Sequence, residues 1–287
     1  MKHILILLSA LMFYPFLALA GSGGSTEPRE LCLLDLQAYF SGNMHIAHSD
    51  IQGDTFVGGD AFLKHFTING RISVGGHLLA SDGTITEDAE AGSAKTSRIS
   101  KPRRVKTGEN FYHQNSLYHE QLVEFSDRLK SLPNTSSAEI LSGKIEIVAK
   151  DDLNIVSISA YDLKRAHKLV LKGSTNSILI INVDNEGLER AEFYRMSLEL
   201  EGVRAENIIY NFYNSKKLLL GMVGPVKRTY GTGIQGTLIA PHASVKFFMG
   251  VIDGGLYAKT LEDSIPTGQV DPLKIRSPRL RRMVCKQ

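Results

Sequence analysis

The chain lacks several features that define common protein classes. It has no tryptophan, only two cysteines among 287 residues, and a single long apolar run, Ile4 to Leu19. It contains no Gly-x-Ser-x-Gly elbow, no P-loop and no paired His-Glu metalloprotease motif. These absences predict a protein that is not an enzyme, carries no cofactor and has no membrane span in its mature form.

The apolar run has the features of a secretory signal peptide. Lys2 and His3 precede it, and Ala18-Leu19-Ala20 follows as a small-residue cleavage site. The alternative is an uncleaved membrane anchor, which Pro15 and the shortness of the run disfavour. We therefore predict a signal peptide over residues 1–20, a flexible lead over 21–30, and a protein secreted to the cell surface or periplasm.

Charge gives little indication of a nucleic-acid partner. The net charge is only +3, and the positive residues concentrate in 101–106 and in 274–286. Neither cluster has interleaved aromatic residues or a nucleic-acid motif. We interpret them as a solvated loop and a basic C-terminal tail over 271–287, and expect no nucleic-acid partner.

A short repeat is the strongest structural signal. The segment from Ile51 to Phe62 aligns without a gap with that from Ile68 to Leu79, seventeen residues later. Both share the skeleton Ile-x-Gly-x-x-x-Val-Gly-Gly, and looser copies begin at Ile234 and Ile252. Because so short a unit cannot bury its own core, it must stack on copies of itself. The alternative is two β-hairpins with similar Gly-Gly turns.

We accordingly predict a mainly β protein, a right-handed β-solenoid (parallel β-helix-like) that fills residues 31–270 as one domain. Small polar residues over 81–108 predict a mobile surface loop. Apolar residues then recur at helical spacing, which predicts one long flanking α-helix over 109–132 with its stripe on the sheets. Alternating runs after residue 144 predict further strands, whereas 186–206 fits either strand or short helix.

The two cysteines lie near opposite ends of the mature chain. In an oxidising compartment, Cys32 and Cys285 predict one disulfide bond that ties the termini together. It would hold the basic tail against the body of the solenoid, where the tail could cover an open strand edge. Two free buried thiols are the alternative. Neither cysteine has a second ligand at metal spacing, so a zinc site is not expected.

Several motifs resemble the choice-of-anchor A domain family. They are Ser49-Asp-Ile-Gln-Gly, Val57-Gly-Gly-Asp-Ala, Ile180-Ile-Asn-Val, Asn207-Ile-Ile-Tyr-Asn-Phe and Gly236-Thr-Leu-Ile-Ala-Pro, in the family's order. The resemblance covers most of 33–262 and implies a secreted bacterial surface domain with an adhesive or structural role. It assigns structural roles to the following motif residues: Ser49, Asp50, Gly53, Gly58, Gly59, Asn211, Phe212, Gly236, Thr237 and Pro241. The sorting signal or membrane tail common in that family is missing at the C-terminus, so we expect no covalent anchor.

Few residues are candidates for ligand chemistry. Asp50, Asp54 and Asp60 surround the first repeat and could supply oxygen ligands to calcium, although corner carboxylates more often cap turns. His45-x-x-His48 beside Asp50 is a weaker metal candidate. We expect no resident metal.

We predict a non-catalytic adhesive or structural module whose partner is an extracellular protein, a glycan or another copy of the chain. One alternative is a carbohydrate-active β-helix enzyme, a lyase or hydrolase, which would need carboxylates and a basic residue converging on one face. The other is an ice-binding-like solenoid, which would need a ladder of Thr-x-Thr units. Only Thr84-Ile-Thr86 fits that pattern, and we place it outside the repeats.

Overall fold

A computed structural model describes residues 31–100, 102, 104–223 and 229–285. The predicted signal peptide (1–20) and flexible lead (21–30) lie outside these residues. The helices are α1 (Tyr112–Ser131), α2 (Ala160–Arg165) and α3 (Pro278–Val284), with short 3-10 turns at Leu33–Asp35 and Ala205–Asn207. The strands are β1 (Ala38–Phe40), β2 (Met44–Ile51), β3 (Thr55–Val57), β4 (Ala61–Ile68), β5 (Ile72–Ile85), β6 (Ala89–Ser100), β7 (Val105–Thr107), β8 (Ala138–Leu141), β9 (Lys144–Val148), β10 (Leu153–Ser159), β11 (Lys168–Lys172), β12 (Ile178–Asp184), β13 (Ala191–Phe193), β14 (Ser197–Glu201), β15 (Ile208–Asn211), β16 (Lys217–Leu220), β17 (Met222–Val223), β18 (Thr229–Tyr230), β19 (Thr232–Gln235), β20 (Thr237–Phe247), β21 (Gly250–Asp253), β22 (Leu256–Leu261) and β23 (Gln269–Asp271).

The seventeen-residue repeat is one rung of a parallel β-solenoid. Thr55 pairs with Ile72, and Ala61 with Leu78, each seventeen residues later and in parallel register. Since each repeat pairs in parallel with the next, the hairpin alternative is wrong. The alternating apolar side chains of successive rungs point inward and form one buried core, which includes Ile51, Ile68 and Ile85.

The Gly-Gly pairs of the repeat occur where rungs approach most closely. A Cβ atom on Gly75 would lie 2.2 Å from the carbonyl oxygen of Gly58, one rung away. Real Cβ atoms do not approach oxygen so closely, so any side chain here would push the rungs apart. The glycines of the repeat are therefore required by stacking.

The order of the rungs in space differs from their order in the chain. β1 pairs on one side with β3 and on the other with β22, and β2 pairs with both β4 and β23. The N-terminal rungs therefore extend away from β1 in one direction as far as β7. The C-terminal rungs begin at β10 at the other end of the stack and return to meet β1.

Helix α1 connects the two halves along one side of the stack. Its buried residues Tyr118, Leu122, Phe125 and Leu129 recur at helical spacing and pack on outward apolar side chains of the sheet. The helix begins at Tyr112 and ends at Ser131, slightly inside the predicted 109–132. Its length allows the chain to pass from the β7 end to the β10 end.

The prediction of a mobile loop over 81–108 is wrong. The end of β5, all of β6 and β7 occupy this segment, and Ile72 pairs with Ala89, which pairs with Val105. The inward positions here are filled by small side chains, such as Ala89 and Ala91, both fully buried. Alanine fills a narrow end of the core without the bulky aliphatic signature of a strand, which explains the misreading.

The C-terminal segment is ordered against the body of the protein. Cys32 and Cys285 form a disulfide, as predicted. The segment predicted as a solvated tail contains α3, whose Leu280 is fully buried in the cluster formed with α1 and the Leu33–Asp35 turn. Arg281 forms an ion pair with Asp35 at 2.6 Å. The prediction that the disulfide holds this segment against the body is confirmed, whereas the short helix capped by Ser277 was not predicted.

Two smaller sheets complete the fold. Strands β14, β11, β9 and β8 form a four-stranded sheet, and β17 pairs with β18. The ambiguous segment 186–206 contains β13, β14 and the start of a 3-10 turn. None of the helices in the described ranges is long and apolar enough to cross a membrane.

Candidate functional site

One outward surface of the solenoid carries two parallel columns of polar side chains, which we call the polar face. The first column is Asp50, Thr67, Thr84 and Ser100, which are direct partners on successive strands. The second column lies two residues further along each strand: Gln52, Asn69 and Thr86. Between the columns, the isoleucines at 51, 68 and 85 point inward into the core. Each strand therefore has the order polar-Ile-polar, and the buried isoleucine holds the polar residues on either side of it at the surface.

Hydrogen bonds join neighbouring rungs along these columns. The hydroxyl groups of Thr84 and Ser100 are 2.8 Å apart, and the Asn69 amide donates to Gln52 Oε1 at 2.9 Å. Thr86 Oγ1 donates to Asn69 Oδ1 at 3.2 Å. These contacts restrict the side-chain rotamers. The side chains of the polar face would therefore lose less conformational entropy when a partner binds than unrestrained surface side chains would.

A third column, which we call the corner column, lies where each of these strands turns onto the polar face. His48, His65, Asp82 and Arg98 occupy successive rungs with φ of 55°, 49°, 57° and 48°. Non-glycine residues seldom adopt this left-handed conformation, which costs roughly 1–2 kcal/mol each. Here four large polar side chains occupy it consecutively.

The side chains of the corner column pair along the stack. The His48 and His65 rings stack with centroids 4.5 Å apart. Arg98 Nη2 donates to Asp82 Oδ2 at 2.9 Å, and this guanidinium holds the pKa of Asp82 below its ordinary value. The corner column and the polar face together line a shallow depression of roughly 530 Å³. Its lining residues are His48, Ser49, Asp50, His65, Phe66, Thr67, Asp82, Gly83, Thr84 and Gln269.

The polar face continues into the C-terminal rungs, where it becomes acidic. Gln269 donates to Asp50, its neighbour across the junction of the two halves. Asp253 and Asp271 are direct partners on the next rungs. Burial, and then the charges of Asp253 and Asp50, raise the pKa of Asp271. No Arg or Lys within the described ranges forms an ion pair with these three carboxylates.

The calcium candidates do not converge. Asp54 Oδ1 accepts the Arg71 backbone N–H at 2.9 Å, and Asp60 Oδ1 accepts that of His77 at 2.7 Å. Both carboxylates thus cap the turn of the following rung, seventeen residues on. Asp50 accepts instead from the amides of Gln52 and Gln269. In the described part of the chain, no group of three or more His, Cys, Asp or Glu side chains is placed to hold a metal ion.

The weaker histidine candidates are also separated. The ring of His45 stacks on Phe62, with centroids 4.5 Å apart, whereas the ring of His48 stacks on His65. Each histidine therefore contacts the next rung, and the two do not form a shared ligand pair.

The motif residues of the N-terminal half lie at junctions and corners. Ser49 donates to the carbonyl of Gly268 at 2.7 Å and so joins the two halves. Gly53 precedes β3. A Cβ on Gly58 would collide with Asn115 of α1, and one on Gly59 would collide with Asn43.

The motif residues of the C-terminal half lie in the core or beside α1. Asn211 and Phe212 are fully buried, and Asn211 contacts α1. Gly236, with φ of 129°, turns the chain into β20, where Thr237 and Pro241 are buried.

The sequence interpretation missed most of the polar face. Thr84-Ile-Thr86 lies inside the repeats, not outside them, because Thr84 pairs with Thr67 and Thr86 contacts Asn69. A signal was present in the sequence: Ile85 follows Ile68 by seventeen residues, and Gly92 follows Gly75 by the same distance. Gln269 could not be found in this way, because only the stacking of the two halves brings it beside Asp50.

These features define a β-solenoid with one flanking helix and a ladder of polar, mostly half-buried side chains on its outer surface. The chain belongs to the family described as putative ice-binding-like adhesive domain, whose model matches residues 35–271. This supports the adhesive class expected from the sequence. No curated protein has a matching sequence.

Solved structures with similarity to the chain include two ice-binding proteins. One, from the Antarctic ascomycete Antarctomyces psychrotrophicus, is 14% identical with a TM-score of 0.42, over 83% of this chain and 92% of that one. The other, from an Antarctic bacterium of the Flavobacteriaceae, is 12% identical with a TM-score of 0.34, over 82% of this chain and 79% of that one.

Proposed function

We propose that the domain is a non-catalytic adhesive or structural module of a bacterial surface and that it binds its partner through the polar face. The observation that carries the proposal is the in-register column of Asp50, Thr67, Thr84 and Ser100, which lies beside the hydrogen-bonded column of Gln52, Asn69 and Thr86. Stacked rungs place one polar group after another at about 4.8 Å intervals. Such a surface suits a ligand that itself repeats, and a polysaccharide chain is the class we favour.

The proposal includes several features expected from the sequence. They are secretion directed by residues 1–20, an extracellular or periplasmic location, right-handed winding and membership of the choice-of-anchor A family. The Cys32–Cys285 disulfide supports an oxidising location. The adhesive family supports binding in place of catalysis.

An array of microbial and plant polysaccharides tests the binding surface. Thr67→Tyr places a bulky ring in the centre of the first column, whereas Ser197→Tyr does the same at an exposed strand position of the four-stranded sheet. We expect the wild type and Ser197→Tyr to bind a common set of glycans, and Thr67→Tyr to lose at least tenfold in affinity. Equal binding by all three proteins would contradict the proposal.

Ice binding is a second candidate, which the hydroxyl groups of Thr67, Thr84, Thr86 and Ser100 favour. Against it, the same face carries Asp50 and becomes acidic towards Asp253 and Asp271. Ice recrystallisation assays distinguish the two functions. Inhibition of ice growth at micromolar protein that disappears in Thr67→Tyr would favour ice binding over glycan adhesion.

The enzyme alternative rests on the acidic part of the polar face. Asp50, Asp253 and Asp271 could provide the carboxylates that such an enzyme needs, but no basic side chain pairs with them among the described residues. Turnover of any polysaccharide on the array that is abolished by Asp271→Asn would overturn the non-catalytic proposal. We expect no turnover.

A further inference from the structure

The two ends of the solenoid are closed differently. At the β10 end, β8 pairs antiparallel with β9, and the N–H groups of Thr135 and Ser136 donate to the carbonyl of Ile155 at 3.0 and 3.2 Å. At the β7 end, only residues 89–91 of β6 are covered by a further strand, which is β7. Within the described ranges, no strand pairs with the outer side of residues 93–100, which we call the open edge.

The backbone of the open edge has hydrogen-bonding groups that point away from the protein. Met44 donates its N–H to Asp60 on the next rung, and Met44, Ala61, Leu78 and Ala94 occupy equivalent positions. In a parallel ladder, every second residue directs both its N–H and C=O to the same neighbour. The corresponding groups of Ala94 and Thr96 are therefore directed outward, where a further rung would lie.

The side chains at this end do not offer an apolar surface. The equivalent core column runs Leu63, Ala80, Thr96, so it ends in an exposed hydroxyl side chain. A partner would thus gain little from hydrophobic burial here. The backbone groups and the charge are the features that could recognise it.

This end carries unpaired positive charge. Residues 93–107 contain six Lys or Arg and no Asp or Glu, and among the described ones Arg98 pairs with Asp82 and Lys106 with Glu90. Lys95 and Arg104 are exposed, and neither forms an ion pair with another described residue. Lysine on an edge strand disfavours pairing with a second copy. If two copies paired antiparallel about a two-fold axis at the centre of the open edge, Lys95 of each copy would also lie opposite Arg98 of the other, and the like charges would repel.

We propose that the open edge binds an extended acidic polypeptide segment, which adds as a further strand beside β6. The outward N–H and C=O groups require a partner with a regular alternation of the same groups, as a strand has. The unpaired cations require that its side chains be acidic. Apart from Ser100, the residues of the polar face lie outside the open edge, so the interaction can hold whether or not that face binds glycans.

Binding of fluorescent synthetic peptides to the disulfide-bonded protein tests the proposal. The probes are an alternating Glu-Val octapeptide and the matching Lys-Val octapeptide. Thr96→Pro removes one outward N–H without removing a bond to β5, since proline has no N–H. Thr96→Ala keeps that N–H and is its control. Lys95→Glu combined with Arg104→Glu reverses the charge, with Lys150→Glu, an exposed lysine far from the open edge, as control.

We expect the acidic peptide to bind and the basic peptide not to bind. Thr96→Pro and the charge-reversed variant should each weaken binding at least tenfold, while both controls stay within twofold of wild type. Unchanged circular dichroism and melting temperature show that the variants are folded.

Three results would overturn the proposal. One is wild-type affinity in Thr96→Pro. Another is binding of heparin or phosphatidylserine vesicles in the absence of peptide binding. The third is a dimer at micromolar concentration that Thr96→Pro dissociates, which would make a second copy the occupant.

Discussion

The attachment of α1 to the C-terminal rungs depends on a buried amide network that can be tested by one substitution. Asn211 is fully buried, and its amide donates to the carbonyl of Ser126 at 2.9 Å and to Asn182 Oδ1 at 2.8 Å. Its Oδ1 accepts from the Ser126 hydroxyl at 2.6 Å. Asn182 in turn donates to the carbonyl of Leu129 at 3.1 Å. The network joins two rungs to two turns of the helix.

Asn211→Ala removes the centre of this network. The Ser126 hydroxyl and Asn182 Oδ1 then lose these partners in a buried environment, and each such loss costs about 1–3 kcal/mol. We therefore expect the free energy of unfolding to fall by about 2–5 kcal/mol. Glu124→Ala, the control, removes an exposed side chain on the same helix and should cost less than about 1 kcal/mol.

Chemical denaturation with the disulfide intact measures these changes, with helix circular dichroism as the probe. A double-mutant cycle with Ser126→Ala isolates the contact, and we expect a coupling of about 1 kcal/mol or more. A loss below about 0.5 kcal/mol in Asn211→Ala, or strict additivity with Ser126→Ala, would refute the account of helix attachment.

Three further changes test other parts of the structure. Cys285→Ser removes a clamp that closes a loop of 253 residues, and we expect a loss of about 2–5 kcal/mol in urea unfolding; no loss would mean that the clamp is not stabilising. Asp271→Asn should leave stability unchanged at pH 3 and raise it by a few tenths of a kcal/mol at pH 7, roughly the scale of exposed charge pairs. The sign follows because the raised pKa of Asp271 makes the folded state bind the proton more tightly, so stability is lost as the pH rises through that pKa; a destabilised Asp271→Asn at pH 7 would contradict it. His65→Gly should change stability by less than about 1 kcal/mol, because glycine accepts φ of 49° but gains freedom in the unfolded chain, whereas His65→Val should lose about 1–2 kcal/mol; equal melting temperatures for the two variants would argue against strain at this corner.

The sequence was informative wherever structure depends on local spacing. The seventeen-residue offset between Ile51 and Ile68 indicated the stacked rungs, and the stripe from Tyr118 to Leu129 indicated the helix. Cys32 and Cys285 indicated their own pairing, because no other cysteine was present. In each case, the residues themselves carry the periodicity or the constraint.

The rest depends on contacts between distant segments or on small side chains. Alanine at positions 89 and 91 fills the core without resembling a strand, so the rungs of 81–108 were interpreted as a loop. The pairing of β1 with β22 has no local signal, because it joins residues more than two hundred positions apart. The continuation of the polar face from Asp50 to Gln269 depends on the equally distant pairing of β2 with β23 and could not be predicted.

The most direct test of the central claim is a hydrogen–deuterium exchange footprint of the protein with the polysaccharide that binds it most tightly on the array. The account predicts slower exchange in the strands of the polar face, at 49–52, 66–69 and 83–86, and no change in the four-stranded sheet at 144–148 and 168–172. Protection confined to the four-stranded sheet, with unchanged exchange at 66–69, would show that the polar face is not the binding surface.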